Sequence, residues 1–353
     1  MTVSPFDHPI LSGLLGDAEL AGFFSTEAEL DAMLRFEAAL AEAEGAEGVI
    51  PLDAAKAVAA VLPRAALHHA ALREATRRDG VIVPELVRQL RAAVGEELGR
   101  HVHVGATSQD VIDTGLALRL AEVLPILDTR LAAVVATLDA LDTRDGKIKT
   151  MGHTRMQAAI PVPASRKILS WRDPLARHRE RLAAVCADVE ILHFGGAAGT
   201  LEKLGDKGEA VGRRLAASLG LAYIPRPRHT ERDGIAALAS WLSLVTGSLG
   251  KMGQDVALLA QNEVAEVKLA GGGGSSAMPH KANPVGAEVL VTLARFNATL
   301  LSGMHQALVH ENERSGAAWT LEWMLLPQMI LATGVALRTA ATLIDGLTFV
   351  RKG

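Results

Sequence analysis

Hydrophobic positions recur along this chain at three- and four-residue intervals, and their run lengths divide it into a short-helix part and a long-helix part. Residues 1–25, interrupted by Pro5, Pro9, Gly13, Gly16 and Gly22, read as an irregular arm. Thr26 and Glu29 then have the spacing of a capping box. Leu30, Met33, Leu34, Ala38 and Ala41 follow on one helical face, and Gly45 and Gly48 close that helix. Alanine- and leucine-rich segments broken by Pro63 and by the turn at Asp79 and Gly80 lead to Pro84, which opens another helix. The pattern predicts a small helical domain over residues 1–100.

The remainder, residues 101–353, carries longer periods and reads as one central bundle domain. Ile112, Leu116, Leu120, Val123, Leu127, Leu131, Val134, Leu138 and Leu141 mark a helix from Thr107 onward, with Pro125 at a kink. Further helices are expected over 163–194, 230–269, 285–310 and 319–345, the one from Thr230 being capped with Asp233. At the α-helical rise, forty residues span about 60 Å, roughly twice a small domain. Helices so long, and apolar over so much of their surface, cannot all be covered within one subunit. The expected fold is all-α, a small N-terminal helical domain followed by a long-helix bundle that self-associates.

Composition narrows the function. With 353 residues, 49% hydrophobic and 22% charged, the chain can bury a large core. Its net charge of -4, without a basic block, argues against nucleic acid and membrane surfaces as partners. Cys186 is the single cysteine, so no intramolecular disulfide forms, and it is expected as a buried thiol in a reducing compartment. Neither a signal segment nor an uninterrupted apolar run of membrane-spanning length is evident, so a cytoplasmic protein is expected.

One stretch is not explained by packing. Gly271–Gly274, Ser275, Ser276, Ala277, Met278, Pro279, His280, Lys281, Ala282, Asn283 and Pro284 combine four glycines with two serines and a lysine, just before an apolar run starting at Val285. Glycines let backbone N–H groups approach a ligand closely. Asn283 reads as the N-cap and Pro284 as the first residue of the next helix, whose positive end together with Lys281 favours an anion. A serine beside such donors can be made usable as a base. A flexible Gly/Ser linker is the plainer alternative. Three other clusters stand out: His101–Asp110 and Gly152–Pro161 precede predicted long helices, Thr107 and Asp110 being suited to capping the first, and His310–Gly316 alone reads as a polar helix end. His101 and His103 lack further ligands at usable spacing, so no metal is expected.

Gly-Ser-Ser-x-Met-Pro-x-Lys-x-Asn, present here from Gly274 to Asn283, resembles the signature loop of the fumarase/aspartase superfamily. The resemblance implies that Ser275 is the catalytic acid or base, and that Lys281 and Asn283 hold a substrate carboxylate as it becomes an aci-carboxylate. His-x-Gly-x-Thr-Ser-x-Asp, from His103 to Asp110, is similar to that superfamily's first conserved region, where Thr107 and Ser108 would bind a carboxylate and His103 would line the site. Around residue 154 the superfamily's lyases carry Arg-Thr-His, whereas this chain reads His153-Thr154-Arg155, placing a permanent cation where those enzymes keep a proton-transferring histidine. Glu313-Arg314-Ser315, with Trp319, Glu322 and Trp323, looks closer to the muconate cycloisomerase branch, as does Leu221–Asp233, and makes Arg314 a candidate carboxylate ligand.

The implied substrate-binding set is therefore His103, Thr107, Ser108, His153, Thr154, Arg155, Gln157, Ser276, Met278 and Arg314. The implied activity is cycloisomerisation of a carboxymuconate without cofactor, in a homotetramer whose sites draw on three subunits. The alternatives are a lyase releasing fumarate from a succinyl adduct, or a sulfomuconate cycloisomerase. Superfamily members usually continue into a third helical domain, and because this chain ends at Gly353 that domain is expected to be missing.

Overall fold

The computed structural model describes residues 4–274, 278 and 282–351. The N-terminal arm contains two short helices, α1 (Ser12–Leu15) and α2 (Ala18–Gly22), where an irregular segment was expected. Then come α3 (Thr26–Ala46), α4 (Leu52–Val61), α5 (His69–Asp79), α6 (Val83–Val94) and α7 (Glu96–Gly99). Ser25, not Thr26, caps α3: its hydroxyl accepts from the Ala28 N–H at 3.1 Å, and Thr26 is the first helical residue. Gly45 lies inside this helix, and Gly48, at φ 68°, turns the chain after it.

The long helices are α8 (Ser108–Asp145), α9 (Ala164–Val189), α11 (Asp233–Leu259), α12 (Val285–Gln306) and α13 (Ala317–Asp345), with the shorter α10 (Gly208–Leu219) before α11. α8 runs continuously through Pro125. Three helices are shorter than their apolar patterns suggested, α12 by the four residues after Gln306. α9 stops at Val189 because the chain bends at Glu190 and then pairs with another segment, with Ile191 bridged to Ala222 and the Leu192 N–H donated to the Ala222 carbonyl at 2.9 Å. α11 starts at Asp233, not Thr230, and ends at Leu259, where a turn carrying Ala265 at φ 46° leads into a strand, β3 below.

Among the described residues, four short strands accompany the helices. β1 (Lys149–Thr154) and β2 (Gln157–Pro163) form an antiparallel hairpin with an irregularity between Met151 and His153. β3 (Val267–Leu269) pairs antiparallel with β4 (Leu347–Phe349), so the segment after α11 is tied to the end of α13.

The buried apolar side chains among the described residues form two clusters that meet along α8. Val111, Ile112 and Leu118 pack with α3, α4, α6 and α10, including Phe36, Leu86 and Leu215. Further along, Leu120 to Leu141 pack with α9, α11, α12 and α13 around Trp171, Leu242 and Met329. Each fully buried side chain of this size contributes roughly 1.5–3 kcal/mol. Glycines let α11 and α12 approach closely: a Cβ on Gly250 would lie 2.4 Å from the Ala294 Cβ, and one on Gly253 would lie 2.6 Å from the Ala287 carbonyl oxygen. Asn297 of α12 donates to the Thr333 hydroxyl of α13 at 3.1 Å, a buried polar pin between these helices.

Helices α11, α12 and α13 are long and apolar enough to cross a membrane by length and composition, contrary to the expectation from uninterrupted runs. Isolated charged residues, such as Glu288 and Arg295 in α12, interrupt the runs without removing their apolar average. The most apolar windows of α11 and α13 are 61% and 56% buried within this chain, but that of α12 only 28%. Cys186, expected to be buried, is half-buried, and burial with the nearby Glu190 carboxylate pushes its thiol up to about 12.

Candidate active site

The first site cluster forms where α8 begins. Thr107 caps α8 and its N–H donates to Asp110 Oδ2 at 2.9 Å, closing the capping box that the sequence suggested. Asp110 does more than cap. Fully buried, it also accepts the Gly195 N–H at 2.8 Å and the Gly196 N–H at 2.9 Å, and it lies 2.8 Å from His229 Nε2. One carboxylate thus gathers three loops around the first turn of α8. The loops touch closely, since a Cβ on Gly196, itself at φ 69°, would come within 2.7 Å of the Gly105 carbonyl. The half-buried Thr107 and Ser108 are left at the positive end of a 38-residue helix, an arrangement suited to an anion.

Arg314 joins this cluster, although its place before α13 suggested a separate origin. Its Nε donates to Gln109 Oε1 at 3.2 Å and its Nη2 to the Ala197 carbonyl at 3.1 Å, so the guanidinium is steered by neutral acceptors. Gln109 in turn donates to the His229 carbonyl at 2.7 Å.

Beneath the cluster lies a buried ion group. Arg232 donates to Asp113 Oδ2 at 2.7 Å and to Glu322 Oε2 at 2.6 Å, and Trp319 Nε1 donates to Asp113 Oδ1 at 2.9 Å. Burial works against the Asp113 carboxylate, but the charge of Arg232 beside it prevails and holds the acid below its usual range. His193, buried alongside, is pushed down to about 4 by desolvation. These pairs pin the starts of α8, α11 and α13 together at one pole of the bundle.

His103 stands on the same approach to α8, with a left-handed backbone at φ 63°. Its Nδ1 lies 2.6 Å from Glu37 Oε1 on α3. Burial would lower this imidazole, but the charge and hydrogen bond of Glu37 outweigh it and raise the group above its ordinary value. Two turns along α3, Glu44 is fully buried, and desolvation with the nearby Glu37 charge raises it to about 9. Neither acid was recognised in the sequence. A signal was available, since Leu30, Glu37 and Glu44 recur every seven residues and place two carboxylates on the helix's apolar stripe.

The other predicted residues lie at the opposite pole. His153 and Thr154 end β1, Gln157 begins β2, and Arg155 and Met156 form the two-residue turn, at φ 47° and 68°. Such turns usually carry glycine or asparagine, so two large side chains here store local strain. Residues 153–157 are all exposed. The 38 residues of α8 separate this hairpin from Thr107 and Ser108 by about 57 Å. Glu266, at the base of β3, accepts the Met151 N–H at 2.6 Å, which ties the approach to the glycine-rich loop to the hairpin.

Ser275, Ser276 and Lys281 lie outside the described residues. Gly273 and Asn283 exchange N–H···O bonds of 2.9 Å, closing the neck of the loop. Asn283 is not the N-cap of α12: Pro284 occupies that position without a side-chain cap, because the Asn283 backbone is committed to Gly273. Met278 is 43% exposed.

Residues 17–297 match the model of a family described as Lyase. The chain belongs to this lyase family. Its helical architecture is the fumarase/aspartase-like fold. The chain is 41% identical over 345 residues to the 3-carboxy-cis,cis-muconate cycloisomerase of Bradyrhizobium diazoefficiens, covering 96% of this chain and 76% of that lyase-family relative. Among solved structures, it superposes on the 3-carboxy-cis,cis-muconate lactonizing enzyme of Pseudomonas putida with a TM-score of 0.91 at 36% identity, covering 98% of this chain and 78% of the other. A fumarate lyase from Mesorhizobium sp. BNC1 gives a TM-score of 0.88 at 32% identity, covering 94% and 76%.

Proposed function

We propose that this lyase-family chain is a cycloisomerase that converts 3-carboxy-cis,cis-muconate to a carboxymuconolactone in the cytoplasm. The observation that carries the reading is the 41% identity, across nearly the whole chain, to a relative of that name. In the reaction, an oxygen of one substrate carboxylate adds across a carbon–carbon double bond, and negative charge develops on the carboxylate conjugated with it. Lys281, Asn283 and loop N–H groups stabilise that aci-carboxylate, and Ser275 delivers the proton to carbon. Thr107, Ser108, His103, Arg314 and Arg155 hold the remaining carboxylates, with His153, Thr154, Gln157, Ser276 and Met278 around them.

The same reading assigns the activity to a homotetramer with shared sites. Two observations support it: about 57 Å of α8 stands between the Thr107 cluster and Arg155, and α12 leaves most of its apolar window uncovered in one chain. Partner chains packed antiparallel would bring opposite poles together. The residues 101–353 bundle provides that interface, with residues 1–100 as the smaller domain.

A second reading, a fumarate-releasing lyase, is favoured by the likeness to the Mesorhizobium fumarate lyase. Arg155 separates the two. Expelling an amine or hydroxide requires an acid titrating near neutrality, which a guanidinium is not, whereas the reverse of lactonisation expels a carboxylate that leaves unprotonated. Incubation with 3-carboxy-cis,cis-muconate should erase the absorbance of its conjugated diene and yield a lactone visible by proton NMR. An unchanged spectrum at micromolar enzyme refutes the proposal.

A further inference from the structure

The buried acids behind His103 have no part in the chemistry described so far. Glu37 is 1% exposed, and its Oε2 has no hydrogen-bond partner among the described residues, so the His103 ring is the partner that its carboxylate retains. Glu44, the buried acid two turns along the same helix, cannot compensate a negative charge, and both its oxygens lack partners as well. A buried carboxylate without a counter-charge is costly, and pairing at 2.6 Å with an imidazolium offsets much of that cost. Nδ1 faces Glu37, and among the described residues the ring makes no other hydrogen bond, so Nε2 is the atom left for a ligand.

We propose that Glu37 is a positioning residue: from α3 it holds His103 through Nδ1 and keeps the ring cationic, so that Nε2 presents a charged N–H to one carboxylate of the substrate. The identity of that substrate rests on the function proposed above; the pairing itself does not. Other charges around the ring are placed consistently. Asp110 on α8 reinforces the cation, while Arg91 on α6 opposes it and is drawn off to the Val102 carbonyl at 3.2 Å. Glu44 on α3 is neutral at pH 7, because burial and then the Glu37 charge raise it to about 9, and so does not compete for the proton. The left-handed backbone at His103 fits the same role, since a non-glycine residue keeps such a conformation where its surroundings fix the side chain.

The test is a nitrogen-15 NMR titration of the histidine rings in the full-length wild type and in Glu37→Gln, without substrate, with His103→Gln used to assign the resonance. In the wild type the His103 ring should be an imidazolium at pH 7.5, and in Glu37→Gln its midpoint should fall by at least one pH unit. With 3-carboxy-cis,cis-muconate at pH 8, Glu37→Gln should raise KM about tenfold or more, the scale of a lost charged hydrogen bond. kcat should stay within about threefold, the fall in kcat/KM should begin at lower pH than in the wild type, and Glu37→Asp should recover part of the loss.

A neutral wild-type ring at pH 7.5 overturns the proposal without recourse to any variant, should Glu37→Gln fail to fold. So does a KM that stays at the wild-type value while the ring titration moves. If the enzyme does not turn over the muconate at all, citrate serves as the tricarboxylate probe. A citrate-induced shift of His103 that weakens in Glu37→Gln then supports the pairing independently of the reaction, and the absence of such a shift refutes it.

Discussion

Glu44→Gln should make the protein less sensitive to alkaline pH. Glu44 is fully buried on α3 and is raised from 4.5 to about 9 by desolvation first and the Glu37 charge second. The folded chain therefore keeps a proton at this position that the unfolded chain gives up above about pH 4.5. More protons bound in the folded state means that stability falls as pH rises, by about 1.4 kcal/mol per unit, through the window from about 4.5 to about 9. Between pH 6 and pH 8 this group alone costs about 2.7 kcal/mol. Glutamine, neutral and of the same shape, removes that dependence. With an unfolding entropy of about 2.1 cal/mol/K per residue, roughly 0.74 kcal/mol/K for this chain, the difference corresponds to about 4 °C. Thermal melts of wild type and variant at both pH values give the answer as a double difference, in which pH effects common to both proteins cancel. The variant should gain about 4 °C on the wild type between pH 6 and pH 8. A double difference below about 1 °C, or a gain by the wild type, would refute a neutral buried Glu44.

Ser275→Ala should keep its assembly by light scattering while losing about 100-fold or more in turnover, the scale of a positioned acid or base; Ser276→Ala should lose less, and equal losses would misassign the role. Arg155→Ala should chiefly raise KM, by the equivalent of roughly 1.5–3 kcal/mol for a lost charged hydrogen bond. Mixed and reassembled with Ser275→Ala, it should regain activity, because the proposed sites draw on different chains, and inactive mixtures would exclude sharing. Arg232→Met strands Asp113 and Glu322 without their cation and should cost about 3–5 kcal/mol in urea unfolding; a variant as stable as wild type would show that the ion group is dispensable.

The long helices were legible because apolar residues recur along them whatever they pack against. Their ends were less so: nothing in the 260–269 apolar pattern marks the turn at Ala265, which is set by β3 pairing with β4, some eighty residues away. The hairpin was missed for a related reason. Strands are read from alternating burial, and β2 is exposed at nearly every position within this chain. At the site, Thr107 and Asp110 were readable from capping chemistry alone, whereas the bonds from Asp110 to Gly195 and Gly196 bring together segments eighty-five residues apart and leave no local trace. The placement of Arg314 beside Gln109 is tertiary in the same way. Glu37 and Glu44 are different, because their seven-residue spacing on an apolar stripe was there to be read.

The central claim is that this chain closes a lactone and does not release fumarate. Its most direct test is a comparison of kcat/KM on one enzyme preparation for 3-carboxy-cis,cis-muconate, its sulfo-substituted counterpart, adenylosuccinate and argininosuccinate, with diene loss and fumarate appearance followed in parallel. The account predicts that the carboxymuconate is preferred over either succinyl adduct by at least about 100-fold, the contribution expected of a matched acid–base arrangement. Fumarate released from a succinyl adduct without turnover of the muconate would contradict it.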